Sequence, residues 1–209
     1  MNTKVEMKVR TIICPCCKKN INIPIQEYHT EFDFNYSTLL NSTKKFFDLV
    51  EICPECGYTM LFDNGISDKV KDFIASDEYR KLWFDQSLEN GLKKWIMIAM
   101  LSEYDENYTE AGIEYTKAYD YLELKNMPLD KHLIEKAAVC FLNASDEYGT
   151  FLDAFLAVDS MRRDGEIDRA KQLLKVILET FEGNLVDKLT WKEQMWLDIN
   201  ETEKRYLDM

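Results

Sequence analysis

Hydrophobic positions recur at every second residue in the first part of the chain and at every third or fourth residue after it. Ile21, Ile23 and Ile25 alternate with other residues, as a half-buried strand requires, and residues 8–13 read as a strand before them. A polar and aromatic connection over residues 26–43 leads to a second strand over 46–52, which runs straight into Cys53. The period then changes. Asp63, Asn64 and Gly65 are turn residues, and Ser67 is suited to cap a helix. Beyond Ser67 the apolar spacing predicts helices over 67–75, 77–86, 90–104, 108–125, 130–145, 149–164, 166–182 and 190–207. Breaks between them fall at Asn126, Met127 and Pro128, at Gly149, at Asp164 and Gly165, and at Gly183 and Asn184. The pattern divides the chain into two domains, 1–66 and 67–209, of an α+β, mostly α class.

Two stretches of the helical part fit the packing template of a tetratricopeptide repeat. In the first, Trp95, Ile98, Ala99, Ala111, Tyr115 and Ala118 fall at the large, small and aromatic positions. Ala154, Ala157, Val158, Met161, Gly165, Ala170, Leu174 and Ile177 occupy the same offsets in the second. Small residues at crossing points let two helices approach closely, and an aromatic or leucine fills the groove beside them. The two matches begin 59 residues apart, against a period of about 34. An irregular unit over about residues 126–150 therefore intervenes, and the expected architecture is an irregular stack of helical hairpins.

Composition narrows the class. Only 7 glycines and 4 prolines among 209 residues disfavour a loop-rich chain. The longest apolar run, residues 95–101, is far short of the roughly 20 residues of a membrane span. Nor does the N-terminus show the apolar core of a signal peptide, so a cytoplasmic location is expected. The net charge of −12 lies entirely in residues 61–209. So acidic a body repels phosphate backbones; the charge either serves solubility or favours a basic protein or peptide partner, and nucleic acid and membrane are not expected partners.

The chemistry of the chain is concentrated in its cysteines. Cys14-Pro15-Cys16-Cys17 and Cys53-Pro54-Glu55-Cys56-Gly57-Tyr58 each place two thiols on one tight turn. Cys14, Cys17, Cys53 and Cys56 together make a closed tetrahedral set, which suits a structural Zn²⁺ and leaves no position for a substrate. Strand, knuckle and strand, twice over, outline a zinc ribbon. The 35 residues between Cys17 and Cys53 exceed the usual spacing of about 15–20 and imply an inserted loop. Geometry alone suits an iron centre equally; zinc is favoured because a rubredoxin is normally a stand-alone electron carrier. Cys16 is read as a small filler, with a redox thiol or a substitute for Cys17 as alternatives, and Cys140 as a core residue. A thioredoxin-like redox pair would need a helix after the first knuckle, where Lys18, Lys19, Asn20 and a strand follow instead.

Little else points to catalysis. His29 and His132 are the only histidines, and no phosphate-binding glycine loop is present. His29 could serve as a spare metal ligand, although a loop histidine is the plainer reading. The tyrosines Tyr104, Tyr108, Tyr115 and Tyr119 are candidates to line a peptide groove, with packing between helices as the competing reading; Tyr115 and Tyr119 are four apart on one face.

The order of parts resembles an uncharacterised bacterial family of unknown function, in which two Cys-Pro-x-Cys zinc knuckles precede tetratricopeptide-like helices. Residues 52–58 and 14–17 carry the likeness. The resemblance implies a bacterial, cytoplasmic protein and no catalytic residues. The expectation is a zinc-ribbon-like N-terminal module followed by an α-helical hairpin repeat domain, acting as a noncatalytic scaffold that binds a protein or peptide. The alternative is a nucleic-acid-associated regulator using the ribbon, with Lys18, Lys19, Lys44 and Lys45 as a basic edge and the helices for dimerisation or sensing.

Overall fold

The structure, a computed structural model, describes residues 6–27, 51–60 and 66–202. Strands β1 (Glu6–Ile13) and β2 (Asn20–Glu27) form an antiparallel ribbon in which Ile12 opposes Ile21 and Ile13 opposes Asn20. The short strands β3 (Glu51–Ile52) and β4 (Thr59–Met60) pair antiparallel around the second cysteine turn. Eight helices follow among the described residues: α1 (Asp68–Ile74), α2 (Asp77–Phe84), α3 (Asn90–Tyr104), α4 (Tyr108–Leu124), α5 (Lys131–Tyr148), α6 (Phe151–Asp164), α7 (Ile167–Thr180) and α8 (Asn184–Asp198). The described residues are thus mostly helical, with few strands.

Local signals explain most boundaries. Ser67 accepts from the Val70 amide and Ser76 from the Tyr79 amide, so each of the first two helices begins on a serine cap. Gly149 and Gly165 end α5 and α6 in the left-handed conformation that glycine adopts at least cost. The last helix departs from its expected range. It starts at Asn184, directly after Gly183 at a φ of 134°, and Asn200, at a φ of 52°, lies just past its end. Most of the expected strand over 46–52, the turn residues Asp63, Asn64 and Gly65, the loop over 28–43 with His29, and residues 203–207 lie outside the described residues.

Packing divides the chain into two compact units, Met1–Asp105 and Glu106–Asp208. In the first, Cys14, Ile21, Cys53 and Tyr58 share one core with Val70, Phe73, Ile74, Tyr79, Met97 and Leu101. Helices α1–α3 therefore belong to the same packed body as the cysteine turns, and the change of period near Ser67 falls inside that body. Glu51 and Lys94 join β3 to α3 at 3.1 Å, and the Ser67 hydroxyl donates to Asp105 at 2.8 Å, closing α1 against the end of α3.

In the second unit each helix packs on the next, from α4 to α8, and α6 also meets α8. Gly112 allows α4 and α5 to cross closely: a Cβ there would lie 2.7 Å from the Phe141 ring. Ala154, Val158, Met161, Ala170, Leu174 and Ile177 form the buried seam between α6 and α7, joined by Ala138 and Leu197. Trp95, Ile98 and Ala99 are buried in the first unit, and Ala111, Tyr115 and Ala118 in the second.

Candidate metal centre

The two cysteine turns are built alike. In the first, the Cys14 amide donates to the Lys19 carbonyl at 2.9 Å and the Lys18 amide returns to the Cys14 carbonyl at 2.9 Å. In the second, the Cys53 amide donates to the Tyr58 carbonyl at 2.8 Å and the Gly57 amide returns to the Cys53 carbonyl at 2.9 Å. Both turns need one residue in the left-handed region at the same place, Lys18 at a φ of 60° and Gly57 at 77°. Glycine adopts this freely, whereas a side chain costs about 1–2 kcal/mol there.

These turns bring Cys14, Cys17, Cys53 and Cys56 together, with all four sulfurs within 4.8 Å of one another. Cys14 Sγ lies 3.7 Å from Cys56 Sγ, and Cys17 Sγ lies 3.8 Å from Cys53 Sγ. No disulfide joins any of the six cysteines. A metal held at about 2.3 Å from each of four sulfurs in a tetrahedron separates them by about 3.8 Å. The observed spacing fits that group. Backbone amides also converge on the sulfurs: those of Cys16 and Cys17 on Cys14, that of Lys19 on Cys17 and that of Tyr58 on Cys56. Amide donors of this kind stabilise thiolate ligands.

Burial makes the thiols hard to ionise without a cation. It pushes Cys14 up to about 11, with the neighbouring Cys17 and Cys53 thiols adding to the rise, and it raises Cys56 as well. At Cys17 burial is outweighed by the Lys19 amide and the adjacent thiols, and the shift is downward. Crowded sulfurs held this way match a site completed by a positive ion.

Cys16 stands apart from the cluster, half-buried against the core of the first unit, so Cys17 is the residue that joins the other three. Cys140 is buried in α5. On the proposed basic edge, Lys19 is paired with Glu55, while Lys44 and Lys45 lie outside the described residues. The four tyrosines separate. Tyr115 and Tyr119 are only 1% and 4% exposed, with Lys136 and Arg163 stacked over their rings at 5.0 Å, so they pack inside the second unit. Tyr104 is 39% exposed and stacks flat on Phe73, and Tyr108 is half-buried at the start of α4.

The second turn tolerates no side chain at Gly57. A Cβ there would meet the Trp83 ring at 2.6 Å, on top of the left-handed φ. Gly57→Ala is expected to cost about 3 kcal/mol from backbone strain and overlap together. Lys18→Gly, which relaxes the same position in the first turn, should be neutral or stabilising by up to about 1 kcal/mol. Chemical denaturation of the metal-loaded protein measures both.

Buried charges in the second unit are the feature the sequence reading missed. Arg162 lies between Glu193 and Asp159, its Nε 2.6 Å from Glu193, and Arg163 reaches Asp120 at 2.5 Å. Helix α6 is buried on nearly every side, so the charged residues on it must find partners inside. Burial lowers Arg162, but Asp159 and Glu193 outweigh it and hold the guanidinium above its ordinary value.

Glu114 is fully buried on α4, where Oε1 accepts from Lys117 at 2.5 Å and Oε2 has no hydrogen-bond partner among the described residues. Burial pushes its carboxyl up to about 7, with Lys117 opposing and Glu110 adding to the rise. A raised carboxyl favours folding when protonated. That contribution is complete below the unfolded value of 4.5 and is lost as pH rises through about 7. The second unit should therefore lose on the order of 3 kcal/mol between pH 4 and pH 8 from this group. Urea denaturation across that range should show the loss, and Glu114→Gln should flatten it.

No described helix is long and apolar enough to cross a membrane. Comparison of the chain with protein-family models, with curated proteins and with solved structures finds no match in any of the three.

Proposed function

We propose that this protein is a noncatalytic, zinc-stabilised scaffold that binds a protein or peptide through its helical body. The observation that carries the reading is the four-sulfur cluster of Cys14, Cys17, Cys53 and Cys56. Every position around a shared ion would be filled by protein sulfur, which suits a structural metal and leaves a substrate nowhere to bind. A zinc-ribbon-like module is supported by the paired turns and their short antiparallel strands. A tetratricopeptide-like hairpin stack is supported by the small and aliphatic seam between α6 and α7.

The acidic body favours a basic partner. With Tyr115 and Tyr119 committed to packing, Tyr104 on the first unit and Tyr108 on the second are the candidates left, each for a surface of its own unit. Metal analysis of protein purified without chelator tests the first half of the proposal: one colourless Zn²⁺ per chain supports it, and a red, redox-active iron centre overturns it in favour of electron transfer. Titration of the full chain with a lysine- and arginine-rich peptide tests the second half. Saturable binding weakened by Tyr104→Ala supports a partner surface on the first unit, binding weakened by Tyr108→Ala supports one on the second, and no binding at low salt removes both.

A further inference from the structure

The Gly57–Tyr58 peptide unit has two hydrogen-bonding ends, and both are used. Its N–H, on Tyr58, donates to Cys56 Sγ. Its carbonyl, on Gly57, accepts from the Tyr79 hydroxyl at 3.0 Å. Tyr79 is fully buried, and its oxygen lies 3.0 Å from the Thr59 hydroxyl, which can donate to it in turn. The chain of bonds thus runs from Thr59 Oγ1–H to Tyr79 Oη–H, on to the Gly57 carbonyl, and through the peptide to the Tyr58 N–H and the Cys56 sulfur. Hydrogen bonds in series polarise one another, and a carbonyl that accepts a bond makes the N–H of its own peptide a better donor.

The surroundings hold this relay in place. Tyr79 begins one turn after the Ser76 cap of α2, and its ring packs edge-on against Phe73 of α1 with centroids 5.6 Å apart. One turn further along α2, Trp83 lies against Gly57 so closely that a Cβ there would overlap it. Helix α2 therefore grips the second cysteine turn twice, through a hydroxyl on its carbonyl and an indole on its glycine.

We propose that Tyr79, backed by Thr59, is a positioning residue of the metal centre that sets the electron density on the Cys56 sulfur. The proposal rests on the metal-site reading above. The Tyr79 hydroxyl draws electron density through the Gly57–Tyr58 peptide, strengthens the Tyr58 N–H to Cys56 bond, and so lowers the charge that Cys56 gives to the ion. Such outer partners typically carry about 10- to 100-fold in metal affinity.

The test substitutes Co²⁺ into the full-length protein and into Tyr79→Phe, which removes the hydroxyl and keeps the ring. Affinity alone would not separate this role from simple destabilisation, because any loss of packing in a metal-coupled fold weakens binding. The sulfur-to-cobalt charge-transfer band does separate them. Tyr79→Phe should move it to longer wavelength, since a sulfur with a weaker hydrogen bond gives up its electron more easily. Val70→Ala, in the same core but not on the relay, should weaken binding and leave the band where it is. Thr59→Val should move the band in the same direction by less. An unchanged band in Tyr79→Phe, or an equal shift in Val70→Ala, overturns the relay while leaving the metal site standing. If the unsubstituted protein forms no tetrahedral cobalt–thiolate spectrum, the metal reading itself fails and the relay with it.

Discussion

Stripping the proposed metal, or replacing Cys53 with serine, is expected to unfold the described residues of the first unit together and to leave residues 106–202 folded. On the zinc reading, the ion contributes on the order of 10 kcal/mol to a small module of this kind. Cys14 and Cys53 are fully buried in the same core as Val70, Phe73, Ile74, Tyr79, Met97 and Leu101. Without the ion, four crowded sulfurs in that core lose the charge that holds them together. The helices α1 and α2 are too short to persist alone, since isolated helices below roughly 12–15 residues are marginal in water. Their stability has to come from the core they share with the cysteine turns. Hydrogen exchange on the full chain, with and without chelator, reads the outcome segment by segment. Amides of α1–α3 and of β1 and β2 should lose protection in one step, while those of α4–α8 keep theirs. Retained protection in α1–α3 after complete metal loss would show that the helices stand without the ion, contrary to the shared core.

That core also shows where the sequence is easy to read and where it is not. The cysteine cluster was legible because its chemistry is local: two residues on each turn fix the geometry, and only the meeting of the two turns is long-range. Most helix positions were legible for the same reason, through the serine cap at Ser67 and the glycine ends at Gly149 and Gly165. The grouping of α1–α3 with the cysteine turns was not. It rests on contacts such as Tyr79 with Gly57 and Lys94 with Glu51, which join residues far apart in the chain and leave no periodic trace. The tyrosines illustrate a further limit. Tyr104 and Tyr115 look alike in sequence, yet one stacks on Phe73 at the surface and the other lies under Lys136 in the interior. Period alone identifies a face, and only the neighbouring helix decides whether that face is covered.

The buried arginines of α6 support the second large prediction, because here a charge is held where water cannot reach it. Arg163 is almost fully buried, bonds Asp120 at 2.5 Å and Glu123 at 3.3 Å, and lies over the Tyr119 ring at 5.0 Å. Arg163→Met removes the cation and leaves the Asp120 carboxylate in the same interior. Breaking one side of a buried pair costs about 3–5 kcal/mol, which for a unit of this size corresponds to a drop in Tm of on the order of 15 °C. The loss comes from taking the Arg163 cation away from the Asp120 carboxylate beside it, so a second change tests the cause. Adding Asp120→Leu to Arg163→Met removes the carboxylate as well and should recover most of the stability, since apolar residues in place of a buried pair are often neutral. Arg169→Met supplies the contrast. Its partner Glu166 sits 3.4 Å away at the surface, both side chains are about half exposed or more, and such pairs contribute roughly 0–1 kcal/mol. Denaturant titrations of the three variants should therefore rank Arg163→Met far below the others. If Arg163→Met matched Arg169→Met, the Arg163–Asp120 pair would not be what ties α4 to α6.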